Sequence, residues 1–330
     1  MKWAITGGCG FIGCNVLKFL LGHEHSVRVL DNLSVGGKDR LKTIAPVHSF
    51  QATTSWPPLR TIELCVADIA DAGALKQFMY GADVVLHLAA NTGVPKSVQE
   101  PVADFEANCR GTFNCLEAAR AAGVRRFIFA SSGAPTGMCM PPVTETTVAR
   151  PLSPYGAGKL AGEGYCSAYF QSYGLETVVL RFSNVYGPLS DQKRSVVAKF
   201  IRQALQGETW KIYGDGSQTR DFIYIDDLVS AIYAAAIAKN VGGEVFQIAT
   251  GVKTSLNELT NMLRQMLEGQ GGSAPAIEHA APLQGEIINN YANPAKAHTY
   301  LDWRHSVSLQ AGLEQTIRWF IQSHQALLHK

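Results

Sequence analysis

Apolar residues recur along this chain with two periods that take turns. Residues 2–6 read as a short apolar strand, and after a glycine turn Phe11, Ile12, Val16, Leu17, Phe19 and Leu20 follow a helical pattern. Further strands are predicted at 26–31, 62–66 and 83–88, with a helix over 72–80. A long helix over roughly 101–122 feeds a strand at 125–131, and a helix over 153–173 leads to a strand at 176–181. This alternation predicts an α/β fold, a doubly wound parallel sheet. Between 34 and 61 neither period holds. Gly36-Gly37 and Pro57-Pro58 bracket a polar stretch that reads as loop, with room for one short helix.

Beyond Arg181 the pattern changes. A turn-rich link over 182–188 precedes a helix over about 194–206, and residues 244–249 look like one more buried strand returning to the sheet. Helices follow at about 255–268, 294–301 and 308–320. The expected organisation is a nucleotide-binding domain over 1–180, rejoined by 221–249, and a smaller interleaved lobe over 181–220 and 250–330. A cleft between such lobes is a natural substrate site.

Composition narrows the function classes. With 330 residues and 46% hydrophobic content the chain supports a sizeable core. A net charge of +2 without any basic tract gives no support for nucleic acid or a membrane surface as partner. The seven cysteines are scattered, with no CxxC pair, and read as reduced thiols of a cytoplasmic protein rather than a disulfide framework or metal site. No signal peptide or membrane span is recognisable.

The chemistry starts at the first strand-to-helix turn. Gly7, Gly10 and Gly13 form a GxxGxxG pattern between strand and helix, a context that brings a backbone close to a dinucleotide pyrophosphate. Asp31 ends the next strand, about twenty residues on, where a carboxylate accepts from the ribose hydroxyls and repels a 2′-phosphate, so NAD is expected over NADP. Asn32 and Ser34 are its neighbours. Asp68 has two roles open to it, capping the following helix and reaching the adenine. After the strand at 83–88, small residues at Ala89 and Ala90 let the backbone pass close to the cofactor. His87 reads as a satisfied buried histidine. Tyr155 and Lys159 stand one helical turn apart, and an ammonium beside a phenol lowers its pKa from about 10, which makes Tyr155 a candidate general acid/base. Ser132 ends a central strand where ligands bind, and Ser131 is the competing hydroxyl.

Taken in order, Thr6-Gly-Gly-Cys-Gly-Phe-Ile-Gly13, Asp31-Asn-Leu-Ser34, Asp68-Ile69, His87-Leu-Ala-Ala90, Asn108-Cys-Arg-Gly-Thr112, Ser131-Ser132, Tyr155-x-x-x-Lys159, Arg181-x-x-Asn184-Val-Tyr-Gly-Pro188 and Gln218-Thr-Arg-Asp-Phe222 resemble the extended short-chain dehydrogenase/reductase family, in its nucleotide-sugar epimerase and dehydratase branch. The resemblance implies a Rossmann-type NAD site with Phe11, Ile12, Ile69, Leu88 and Asn108 among its residues. It also implies a catalytic set of Ser132, Tyr155 and Lys159, with Lys159 holding the nicotinamide ribose. Asn184, the helix starting near Val196, and Arg220 fall on positions that hold the substrate's diphosphate, and a guanidinium suits that task. The helices over 101–122 and 153–173 match those that pair in the family's homodimers.

Dehydratases of this branch carry an Asp-Glu pair after the catalytic hydroxyl, whereas Ser132 is followed by Gly133-Ala134-Pro135. The resemblance therefore implies 4-epimerisation of a UDP-hexose or UDP-N-acetylhexosamine through a 4-keto sugar. Asn290 stands where a bulky residue narrows the sugar pocket of some epimerases, which favours tolerance of a 2-acetamido group. Departures from the family pattern are Leu283 in place of a second diphosphate arginine, Asn293 in place of an acid, and Pro135-Thr136-Gly137 in place of a Val-Tyr-Gly segment. They keep two alternatives open: a reductase or other epimerase acting on a dTDP-, GDP- or CDP-sugar, and a catalytically silent NAD(H)-binding protein.

Overall fold

A computed structural model describes residues 1–52, 55–270, 275–282 and 288–328. Seven strands, β1 (Lys2–Thr6), β2 (Ser26–Asp31), β3 (Val47–Ser49), β4 (Ile62–Val66), β5 (Val84–His87), β6 (Arg126–Ser132) and β7 (Glu176–Phe182), share one sheet with Glu244–Ile248. The spatial order is Glu244–Ile248, β7, β6, β5, β1, β2, β4, β3, and every neighbouring pair is parallel. Side-chain alternation explains this choice. Trp3 and Ile5 enter one core and Ala4 the other; Val84 and Leu86 oppose Val85 in the same way, and Ile128 opposes Phe127 and Phe129. A strand apolar on both sides needs cover on both sides, which crossover helices supply.

Those helices are α1 (Phe11–Gly22), α2 (Lys38–Lys42), α3 (Ala72–Met79), α4 (Val94–Gln99), α5 (Pro101–Phe105), α6 (Gly111–Ala121) and α7 (Pro154–Tyr173). α1 and Ile225–Ile237, the latter unannounced by the sequence reading, contribute to the first core; α3, α6 and α7 contribute to the second. α7 starts on Ser153, whose side chain accepts from the Gly156 N–H, and stops at Gly174 in the left-handed region. All seven cysteines are free thiols. Among the described residues, no helix is long and apolar enough to cross a membrane.

Two segments depart from the sequence reading. Residues 34–61 contain α2 and an eighth, edge strand, β3, paired with β4. The segment is held by Arg28, which bonds Glu63 at 2.6 Å and the Ser55 carbonyl at 2.6 Å, and lies 4.3 Å from the Trp56 ring centroid. A clamp made by one buried cation leaves no periodicity to read. The helix expected over 101–122 is interrupted by a π-turn at Glu106–Arg110, between α5 and α6. The extra residue in that turn directs Asn108 inward.

In the second half, Thr219–Arg220 pairs with Thr254–Ser255 and with Asn289–Asn290, and Asn184–Tyr186 pairs with Phe222–Tyr224. Helices Val196–Leu205, Leu256–Gly269, Ala295–Tyr300 and Leu309–Leu328 occupy the forecast positions, the last extending to 328. Residues 244–248 return to the sheet beside β7, as expected.

Candidate active site

The strand order reverses between β1 and β5: the chain steps outward from β1 through β2, then returns to β5 on the other side of β1. Open α/β sheets take ligands in the crevice above such a switch. Thr6 and His87 are register partners there, and Gly7 follows at φ +72°. A Cβ at Gly7 would lie 2.6 Å from the Ala89 nitrogen, so only glycine allows the two chain segments to meet. A Cβ at Gly13 would sit 2.6 Å from the Gly8 Cα, so this glycine lets α1 close on the turn. Gly10 caps α1 without any side-chain bond, leaving the first-turn amides at Phe11, Ile12 and Gly13 as a positive helix end that no side chain covers. Asp31 is oriented by the Cys9 N–H at 2.9 Å and the Leu33 N–H at 2.8 Å, one on each oxygen. This cradle fits a dinucleotide: amides for its pyrophosphate and a carboxylate for its ribose.

The surrounding residues divide by what their side chains do. Asn32 donates to Asp68 at 2.7 Å and accepts from the Ser34 N–H at 3.0 Å, so these three form one rim. Asp68 accepts from the Ala70 N–H but does not cap α3; Asp71 does, accepting from the Ala74 N–H at 3.0 Å. Ile69 packs its side chain against Gly111 in the core, leaving its backbone beside Asp68. Leu88, Ala89 and Ala90 line the crevice half-buried. Asn108 stands behind them, donating to the Asn91 carbonyl at 2.9 Å and accepting from the Asn91 N–H at 3.1 Å, so its side chain braces the loop. His87 bonds Thr6 at 2.7 Å and Thr112 at 3.0 Å, and burial pulls its pKa down to about 3, a structural histidine as expected.

The end of β6 separates the two serines. Ser131 donates to Glu163 at 2.6 Å, and Arg181 chelates the same carboxylate at 2.8 and 2.6 Å, all three side chains buried. Ser132 faces the opposite way, as successive strand residues must. Its hydroxyl accepts from the Ala134 N–H at 3.2 Å and lies on the side of the Tyr155 phenol, whose ionised form it favours. Lys159 donates to the Ala130 carbonyl at 2.9 Å, with its Nζ 6.0 Å from the centroid of the Tyr155 ring. The sequence reading expected Lys159 to lower the phenol pKa. Burial raises it instead, with the Ser132 hydroxyl opposing the rise and the Asp104 carboxylate adding to it. Burial also draws Lys159 down to about 8. Enclosure thus favours the protonated phenol.

Of the residues expected on the substrate side, Asn290 comes beside Gly133 and Arg220 pairs with it in register. Asn184 donates to the Asp221 carbonyl from its backbone at 2.9 Å and its side chain at 3.1 Å. Arg220, the residue before, is the register partner of Asn290, whose amide lies 4.0 Å from the Cβ position of Gly133, next to Ser132. Asp221, unremarked in the sequence, anchors the turn at Thr250 and Gly251 through three bonds of 2.8 to 2.9 Å. Val196 opens its helix, and N-cap Ser195 makes no side-chain bond there. Asn293 accepts from the Ala295 N–H. Leu283 lies outside the described residues.

Comparison with known proteins agrees with this geometry. The family model described as "NAD dependent epimerase/dehydratase family" matches residues 3–249. The UDP-glucose 4-epimerase of Mycolicibacterium smegmatis is 36% identical over 98% of this chain and 100% of its own length. The crystal structure of UDP-glucose 4-epimerase from Thermotoga maritima with UDP-glucose superposes with a TM-score of 0.87 at 33% identity, covering 98% of this chain and 100% of that one. The UDP-N-acetylglucosamine 4-epimerase of Methanobrevibacter ruminantium, in complex with UDP-N-acetylmuramic acid, gives 0.87 at 29% identity, covering 98% of each chain. Cradle, serine–tyrosine–lysine cluster and end-to-end similarity coincide, and the chain belongs to the NAD-dependent epimerase/dehydratase family.

Proposed function

We propose that the protein interconverts the C4 epimers of a nucleotide-activated hexose, UDP-glucose and UDP-galactose or the UDP-N-acetylhexosamines. The observation that carries this reading is the Ser132–Tyr155–Lys159 cluster followed, after Ser132, only by Gly133, Ala134, Pro135, Thr136 and Gly137. Such a site has a group to move the O4 proton, and the segment after Ser132 carries no acid to protonate a departing hydroxyl, which elimination needs. The similarity to proteins named UDP-glucose and UDP-N-acetylglucosamine 4-epimerases supports it.

NAD, when bound, supplies a reversible hydride acceptor and a positive ring charge that favours phenolate. Gly7, Gly10, Gly13, Asp31 and the opening amides of α1 would hold it. Tyr155 takes the proton from the sugar O4 and later returns it. Ser132 bridges the phenol and that oxygen, and Lys159 keeps a positive potential beneath them. The hexose must present both faces of C4 in turn, so the cleft has to grip the diphosphate firmly and the sugar loosely. Arg220, Asn184 and the amides from Val196 are the grip, and Asn290 leaves space for a 2-acetamido group. The cleft lies between the domain 1–180 with 221–249 and the lobe 181–220 with 250–330. A homodimer is part of this reading, because Phe113 and Tyr165 stand half-exposed on α6 and α7, with ring centroids 5.5 Å apart, and α5 and α7 also expose Val102, Phe105 and Tyr173.

The purified protein is incubated with UDP-, dTDP-, GDP- and CDP-sugars and followed by proton NMR. The expected result is the anomeric signal of the C4 epimer in the UDP series, absent in Tyr155→Phe. A 4-keto-6-deoxy product, or no turnover after NAD is added, would refute the epimerase reading.

A further inference from the structure

Lys193 lies in the segment that joins Asn184–Tyr186 to the helix Val196–Leu205. Its ammonium donates to the Val185 carbonyl at 3.1 Å and stands 4.9 Å from the centroid of the Phe11 ring. It therefore touches both the first residue of α1 and the strand that carries Asn184. Neither α1 nor Val196–Leu205, which begins three residues after Lys193, has a side-chain cap. One of its three N–H groups is spent on Val185.

The ammonium is half-buried against Phe11 and Val185, and among the described residues it makes no ion pair. Arg28 is matched by Glu63, Arg40 by Asp191, Arg126 by Glu176 and Arg181 by Glu163. Asp104 and Glu163 act on Lys159, and Asp191 acts on Arg202. Burial draws Lys193 down to about 8, whereas Arg126, Lys159 and Arg202, also drawn down by burial, each have a carboxylate acting on them. The nearest acid in sequence, Asp191, is committed to Arg40 at 2.7 and 2.8 Å. The segment is also tied in place. Arg40 donates to the Leu189 carbonyl at 2.9 Å, Asn15 to Pro188 at 3.2 Å, and Arg202 to the carbonyl of Lys193 itself at 2.8 Å. A half-buried ammonium fixed between the first residue of α1 and the Asn184 strand, with donors left over, is placed to meet an anion entering there.

We propose that Lys193 is a diphosphate-binding residue, its ammonium closing on a phosphate of the nucleotide diphosphate group that enters between α1 and the Asn184 strand. That group belongs either to the sugar nucleotide or to the dinucleotide. The proposal rests on the reading of the cleft as an NAD and nucleotide-sugar site, and adds a cation that neither the glycine turn nor Arg220 accounts for.

The test uses the full chain as wild type, Lys193→Met and Lys193→Arg, titrated separately with UDP and with NAD⁺ by calorimetry at pH 7. The methionine variant is expected to bind one ligand about tenfold to a hundredfold more weakly, as loss of a charged hydrogen bond implies, and arginine to recover most of the loss. A loss on UDP assigns the substrate's diphosphate, and a loss on NAD⁺ assigns the cofactor's. The ligand-free methionine variant should melt no lower than wild type, because a half-buried charge without an ion pair has gone. Raising the pH from 7 to 9 should weaken wild-type binding of the affected ligand more than the variant's. If wild type binds both ligands and Lys193→Met binds both equally well, the proposal is overturned and the family reading stands. If wild type binds neither, both fall.

Discussion

Replacing Lys159 by methionine should abolish turnover and make the ligand-free protein more stable at neutral pH. The side chain is 2% exposed, and burial draws its pKa from 10.5 to about 8 although Asp104 and Glu163 act in the opposite direction. At about 1.4 kcal/mol per pH unit, the folded protein carries a penalty of roughly 3 kcal/mol while this lysine is charged. Between pH 8 and 10.5 the unfolded chain holds a proton that the folded chain has released, so this group's contribution to stability rises with pH across that window and is flat on either side. Methionine fills similar space without that penalty and loses the bond to the Ala130 carbonyl, which contributes about 1 kcal/mol. The variant is therefore expected to be more stable by about 2 kcal/mol at pH 7 and less stable by about 1 kcal/mol near pH 10.5. Urea unfolding followed by tryptophan fluorescence at pH 7, 8.5 and 10 measures the difference, and other titrating groups cancel between the two proteins. A difference that does not change with pH would refute the reasoning, as would a methionine variant weaker than wild type at pH 7.

Three further outcomes separate structure from chemistry. Ser131→Ala removes a buried bond to Glu163 and should cost about 1–2 kcal/mol in unfolding while turnover persists, whereas Ser132→Ala should keep its melting temperature and lose about a hundredfold in kcat. Gly7→Ala, whose Cβ would lie 2.6 Å from the Ala89 nitrogen, should weaken NAD⁺ binding at least about tenfold by calorimetry and lower the melting temperature. Tyr165→Glu places a charge beside Phe113 on the exposed aromatic face, and light scattering is expected to report a dimer for wild type and a monomer for the variant.

Most of the frame was legible in the residues because the information is local. A two-residue period apolar on both sides specifies a strand that must be buried on both faces, and glycines before a helical run specify a tight turn whatever surrounds them. The order of motifs then named the family, and the one-turn spacing of Tyr155 and Lys159 placed the pair on a helix. What stayed hidden depends on partners far apart in the chain. Which serine faces the cleft was decided by Glu163 and Arg181 claiming Ser131. That Asp71 rather than Asp68 caps α3, and that Asn108 braces the Asn91 loop, follows from contacts no spacing encodes. The opposing pull of enclosure and Asp104 on the Tyr155 phenol was not legible, because neither is visible beside the lysine. Lys193 passed without notice, since a lysine in a polar loop looks solvated until the fold half-buries it against Phe11 and Val185. Sequence determines the elements through short-range periodicity, whereas charge and proton affinity are set by solvent exclusion, which exists only once the chain has closed on itself.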